Sequence, residues 1–127
     1  ERWDPIEVWG TGEDLKDVLY VDDMVDAMAL AMEKIESHQT FNIGFEEVYS
    51  IKEILRTILE VDGYPGAEIA FDESKPSMIP ARLVDISKAR DLLGFRPKTS
   101  LSDGIRRTVD WYRETNNLPR VAARLAR

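Results

Sequence analysis

The chain has 127 residues, a net charge of −7 and 43% hydrophobic residues, which fits one globular domain with a single core. It contains no cysteine, which excludes a disulfide framework and thiolate chemistry and suits a cytoplasmic setting. No apolar run approaches the roughly 20 residues of a membrane span, and the acidic balance argues against general attraction to nucleic acid. Glu1-Arg2-Trp3-Asp4 is unlike a signal peptide, and with no initiating methionine the chain is expected to be a piece of something longer.

Ile6, Val8 and Trp9 form a β-prone run into Gly10-Thr11-Gly12, the order in which a dinucleotide-binding loop opens. The context contradicts that loop. Leu15 replaces the third glycine, Val18 to Val21 read as another strand, and Glu13 and Asp14 would repel a pyrophosphate. A glycine-relaxed hairpin between two strands is the better account, and no cofactor-binding residue is expected.

A helix follows from about Asp23 to Glu36, with Val25, Met28, Ala29 and Met32 as its apolar spacing. Asp22 and Asp23 suit capping of that helix better than holding Mg²⁺, because consecutive side chains project differently. Thr40 to Ile43 reads as a short strand ending at Gly44. Ser50 to Glu53 is a capping box opening a second helix through Ile54, Leu55, Ile58 and Leu59, stopped at Asp62-Gly63. Ala67 to Phe71 is a strand, 72–81 a surface loop with two prolines, and Arg82 to Val84 a brief extended piece. Ile86 to Leu93 is a short helix stopped by Gly94. Ser100 caps a last helix with Leu101, Ile105, Val109 and Tyr112 on one side, ending near Asn116, Asn117 and Pro119, with a frayed helical tail over 121–127. The order describes an α/β domain of α+β character, with short strands and about four helices, that packs on something else. It is expected to occupy 1–127, with a lead-in over about 1–4 and a tail over about 117–127.

Few residues suggest chemistry. His38 sits in a polar loop, and one histidine builds neither a usual zinc site nor, without placed partners, a triad. No catalytic residue and no metal ligand is expected. Lys16 and Arg82 stand at loop-to-strand junctions beside flexible segments, and Asp85 stands at a helix start. Such cations could close over a diphosphate or could be solvated surface charges. From Arg96 onward the chain carries eight basic residues (96, 98, 106, 107, 113, 120, 124, 127) against three acids (103, 110, 114). That run reads either as a solvated helix face or as a docking surface for an acidic partner.

The ordered set Trp9-Gly-x-Gly, Tyr20-Val-Asp-Asp, Asn42-Ile-Gly, Arg82-x-x-Asp-x-x-Lys-Ala and Leu93-Gly-x-x-Pro resembles the C-terminal, substrate-binding part of the extended short-chain dehydrogenases, the nucleotide-sugar epimerase/dehydratase family. The likeness runs from about Pro5 to Tyr112, and its first run is most similar to the GDP-fucose synthase branch. The resemblance implies that Lys16 and Arg82 hold the diphosphate of a nucleotide sugar, that Asp85 lies near the nucleotide ribose, and that Tyr20 and Asn42 are on the substrate side, in contact or in packing. It implies NAD or NADP as cofactor of the full-length enzyme, with none bound by this fragment. The Rossmann domain, with its fingerprint and its Tyr-x-x-x-Lys pair, is absent, since Tyr49 and Lys52 have the wrong spacing. Expected partners are that missing N-terminal domain and the nucleotide-diphosphate sugar, with a homodimer left open and no nucleic acid or membrane.

Three departures affect the ligand. Lys16 replaces an arginine, so a planar grip becomes a point charge. Glu46 stands where relatives often have a glycine, and Met78 replaces another in the proline loop. The alternative from a different class is a non-catalytic interaction or regulatory module of the same fold, docking through its basic C-terminal face.

Overall fold

The computed structural model describes residues 5–76 and 79–117, with side chains to 116. Met78, Pro119 and the expected tail over 121–127 lie outside the described residues. The elements are β1 (Ile6–Trp9), β2 (Leu15–Asp17), α1 (Val21–Lys34), β3 (Val48–Ser50), α2 (Ile51–Val61), β4 (Ile69–Asp72), β5 (Ala81–Arg82), α3 (Ser87–Leu93) and α4 (Leu101–Asn117). This is a small mixed α/β domain with short strands and, among the described residues, four helices.

Two small sheets replace the expected hairpin. β1 pairs in parallel with β4, while β2 is the middle strand of a three-stranded sheet ordered β3-β2-β5. β1 and β2 therefore do not pair, although only five residues separate them, 10–14. Gly10 and Gly12 have φ of 81° and 75°, left-handed values that turn the chain from one sheet into the other at little steric cost. A Cβ on Gly12 would lie 2.3 Å from Phe71 Cε1, far inside van der Waals contact. The second strand begins earlier than expected, at Leu15, and 18–20 form a connection into α1.

α2 starts as its sequence dictates. The Ser50 hydroxyl accepts from the Glu53 N–H at 3.2 Å while the Glu53 carboxylate accepts from the Ser50 N–H at 2.7 Å, a reciprocal capping box. The next free amides are met by the glycine loop: Ile51 N donates to Asp14 O and Lys52 N to Gly12 O. The helix ends at Val61, with Gly63 at φ 75° just beyond. α3 ends the same way on Gly94, at φ 71°, and the Ser100 hydroxyl accepts from the Asp103 N–H to open α4.

The buried core comprises Ala27, Ile86, Ala89, Leu93 and Phe95, with Leu30, Ala31, Phe41, Ile43 and Val84 packed against it. Its position corrects the expectation for α1. Val25, Met28 and Met32 are 56%, 60% and 86% exposed, while Ala27 is buried. The helix has a second apolar line, Ala27, Leu30 and Ala31, whose small residues let α3 approach closely, and the core forms there. Asp23 is corrected too. It is 3% exposed and accepts from Lys98 N and Thr99 N, so it fastens the α3–α4 connection; no side-chain cap closes the start of α1. Thr40 to Ile43 alternates outward and inward as a strand would, yet it joins neither sheet among the described residues.

Glu53 has its carboxyl held below the usual range, first by the Ser50 amide and then by its hydroxyl. A depressed folded pKa adds stability above the ordinary carboxylate range, and that increment disappears as pH falls through the folded value. Ser50→Ala should cost about 1 kcal/mol, read as a drop of several degrees in the thermal midpoint. Glu53→Gln should flatten the acid-side decline of melting temperature that this linkage predicts for the parent.

Candidate functional site

The register of β2 assembles the candidate site. Lys16 pairs with Tyr49 across the antiparallel edge and with Arg82 across the parallel edge. Directly paired residues project to the same face of a sheet, so a phenol and two cations share one face. Ser50, Leu15 and Ala81 form the adjacent row and point the other way. Two cations singled out by residue type are thereby brought side by side.

Their surroundings differ. Arg82 is exposed, and no hydrogen bond or ion pair ties its guanidinium to a described residue. Lys16 is half-buried; its ammonium donates to Ile79 O at 2.6 Å and lies 3.8 Å from an Asp14 carboxylate oxygen. That contact draws the proline loop against the sheet, as does the bond from Leu15 N to Pro80 O. An ammonium has three protons, so Lys16 can hold the loop and still donate to an anion. Tyr49 donates from its hydroxyl to Glu47 Oε2 at 2.7 Å. Burial first, and then the bond and charge of Glu47, push its pKa up to about 12.

Asp85 follows Arg82 by three positions, at the start of α3. Its Oδ1 accepts from Ser87 N at 2.8 Å, and hydrogen bonding from Ser87 holds the carboxyl below its usual range. Asn42 is exposed on the extended segment. That segment passes the start of α3, since Thr40 O accepts from Lys88 Nζ at 2.9 Å. Two residues after Asn42, a Cβ on Gly44 would lie 2.6 Å from Asp17 Oδ2 and 2.9 Å from Val84 Cβ. Tyr20 is turned toward α4: a Cβ on Gly104 would lie 3.2 Å from its ring, and the Arg107 guanidinium lies 5.4 Å from the ring centroid. The fold thus sets Lys16 beside Arg82, leaves Asp85 three residues further on at the start of α3 bonded to Ser87, and packs Tyr20 against α4. The spacing of Tyr49 to Lys52 fits no catalytic pair and marks no role for it in the sequence; the strand register places it beside Lys16.

A family model described as the NAD dependent epimerase/dehydratase family matches residues 1–44. GDP-L-fucose synthase 1 of Arabidopsis thaliana is 38% identical over 84% of this chain and 32% of its own length. GDP-L-fucose synthase of Escherichia coli is 33% identical over 88% of this chain and 37% of its own. Among solved structures, UDP-glucose 4-epimerase of Thermotoga maritima with UDP-glucose superposes with a TM-score of 0.78 at 33% identity, over 88% of this chain and 36% of that one. UDP-glucuronic acid 4-epimerase of Bacillus cereus, in complex with UDP-glucuronic acid and NAD, gives 0.76 at 31% identity, over 87% and 36%. The chain is thus similar, over most of its own length, to enzymes of the NAD-dependent epimerase/dehydratase class. It spans about a third of the length of these relatives.

Among the four tyrosines, one should ionise near pH 12 in a spectrophotometric titration and be missing from Tyr49→Phe. Glu47→Gln should bring that step down part of the way, leaving the share due to burial. Gly44→Ala should lower stability by about 1 to 3 kcal/mol in chemical denaturation, because the added methyl overlaps Asp17 and Val84 in a packed strip.

Proposed function

We propose that this chain is the C-terminal, nucleotide-sugar-binding domain of an NAD- or NADP-dependent epimerase, dehydratase or reductase acting in the cytoplasm, and that the cofactor-binding and catalytic half lies outside it. The observation that carries the reading is the register pairing of Lys16 with Arg82, three residues before Asp85. Two adjacent cations suit a diphosphate, with the guanidinium giving two parallel bonds and the ammonium adding attraction. The carboxylate of Asp85, kept ionised, suits the hydroxyls of a ribose. Bound nucleotide would then serve orientation, holding the sugar toward a nicotinamide carried by the other half, which would exchange the hydride. The relatives' GDP- and UDP-sugar names support this substrate class.

The interaction-module alternative draws on the basic C-terminal run, of whose five described basic residues three are paired internally. Lys98 pairs with Asp26, Arg107 with Asp22 and Arg113 with Asp62. The outer stripe of α1 and the unladdered edge of 40–43 are a better docking surface, and we assign them to the missing half of the enzyme. Left uncovered, that stripe promotes self-association. Sedimentation of the isolated chain should show oligomers that Met28→Asp and Met32→Lys suppress; a concentration-independent monomer with a sharp, reversible, high-temperature melt would count against this assignment.

Calorimetric titration with GDP and UDP tests the site. A bond to a charged group contributes about 1.5 to 3 kcal/mol, so Arg82→Ala should weaken nucleotide binding by about one to two orders of magnitude without lowering the melting temperature. Lys16→Arg should preserve or tighten it. NADH and NADPH should show no saturable micromolar binding to this chain. Unchanged nucleotide affinity in a folded Arg82→Ala protein would overturn the clamp and favour the interaction module.

A further inference from the structure

Glu46 is held in an unfavourable backbone conformation. With φ of 66° it is the non-glycine residue in the left-handed region among the described residues, a conformation that costs an L-residue about 1 to 2 kcal/mol. Its side chain is committed to a distant partner: Oε1 accepts from Arg90 Nη1 at 2.6 Å, both side chains being about a third exposed.

Arg90 continues the connection. Its Nη2 donates to Ser87 Oγ at 3.2 Å, and Ser87 N donates to Asp85 Oδ1 at 2.8 Å. On the other side of Glu46, Phe45 N donates to Asp17 Oδ1 at 2.7 Å, and Asp17 directly follows Lys16. The turn at 45–46 is therefore tied to the strand that carries Lys16 and to the helix start that carries Asp85. Asn42 lies four residues upstream of Glu46, on the segment that this turn terminates.

We propose that the Glu46–Arg90 ion pair is a positioning device for the nucleotide site, holding the Asn42 segment at a set spacing from Asp85. The inference rests on the nucleotide-binding reading above. An isolated surface pair contributes little to stability, and the arrangement here is suited instead to fixing geometry. Glycine would take the left-handed turn without strain but would leave the segment untethered. Glutamate accepts the strain and gains a fastening to α3.

Glu46→Gly separates these roles, since it relieves the backbone and deletes the pair. It should melt no lower than the parent while GDP or UDP affinity falls by about three- to ten-fold, equivalent to about 0.7 to 1.4 kcal/mol. Arg90→Met should show a similar loss of affinity, and the double variant should lose little more than either alone, as expected for two ends of one interaction. The charge swap Glu46→Arg with Arg90→Glu should recover most of the affinity. Hydrogen exchange at the Phe45 amide should accelerate in the single variants and slow again in the swap. Parent-like nucleotide affinity in Glu46→Gly, alongside a clear loss in Arg82→Ala, would overturn the positioning role and leave the clamp standing. Unchanged affinity in Arg82→Ala would overturn the clamp, and the positioning role with it.

Discussion

The candidate site depends on the two-sided hydrogen bonding of β2. This strand has three residues, yet its backbone is paired with β3 on one edge and β5 on the other. A strand so short holds its register because the loops on both sides are fixed as well: the carbonyls of Gly12 and Asp14 receive the first amides of α2, and Pro80 O receives Leu15 N. A slip of one residue would exchange the faces. Lys16 would then leave the row of Tyr49 and Arg82, and Leu15 would take its place.

A second constraint concerns α1, which is apolar on two sides. The side with the small residues Ala27 and Ala31 meets α3 over the core, and the methionine side faces outward. The extended segment 40–43 has a similar character, with Phe41 and Ile43 packed inward and its backbone edges without a ladder. Of the two, the methionine side of α1 is the apolar surface that no described residue covers. A chain covering about a third of its relatives is where such surfaces are expected.

Charge is spent largely within the domain. Buried Asp23 ties the α3–α4 connection to α1, and Asp22, Asp26 and Asp62 each meet a basic residue from the C-terminal third. These exposed pairs are individually weak, but they reduce the basic character of that face. Arg82, by contrast, has no such internal partner among the described residues, which leaves its guanidinium available to a ligand.

What the sequence determined by itself was local. The capping box at Ser50, the stops at Gly63 and Gly94, the opening of α4 at Ser100 and the failure of the dinucleotide loop all follow from residues within a few positions of one another, where hydrogen-bond geometry and φ preferences act directly. The ordered motifs also pointed to the family. Tertiary structure decided which of two apolar lines on α1 is buried, that β1 and β2 belong to different sheets, that Asp23 bonds to Lys98 and Thr99, and that Tyr49 stands beside Lys16. Periodicity marks a face as apolar without naming what covers it, and strand register is set by pairing between distant segments. Both outcomes required the whole domain to close.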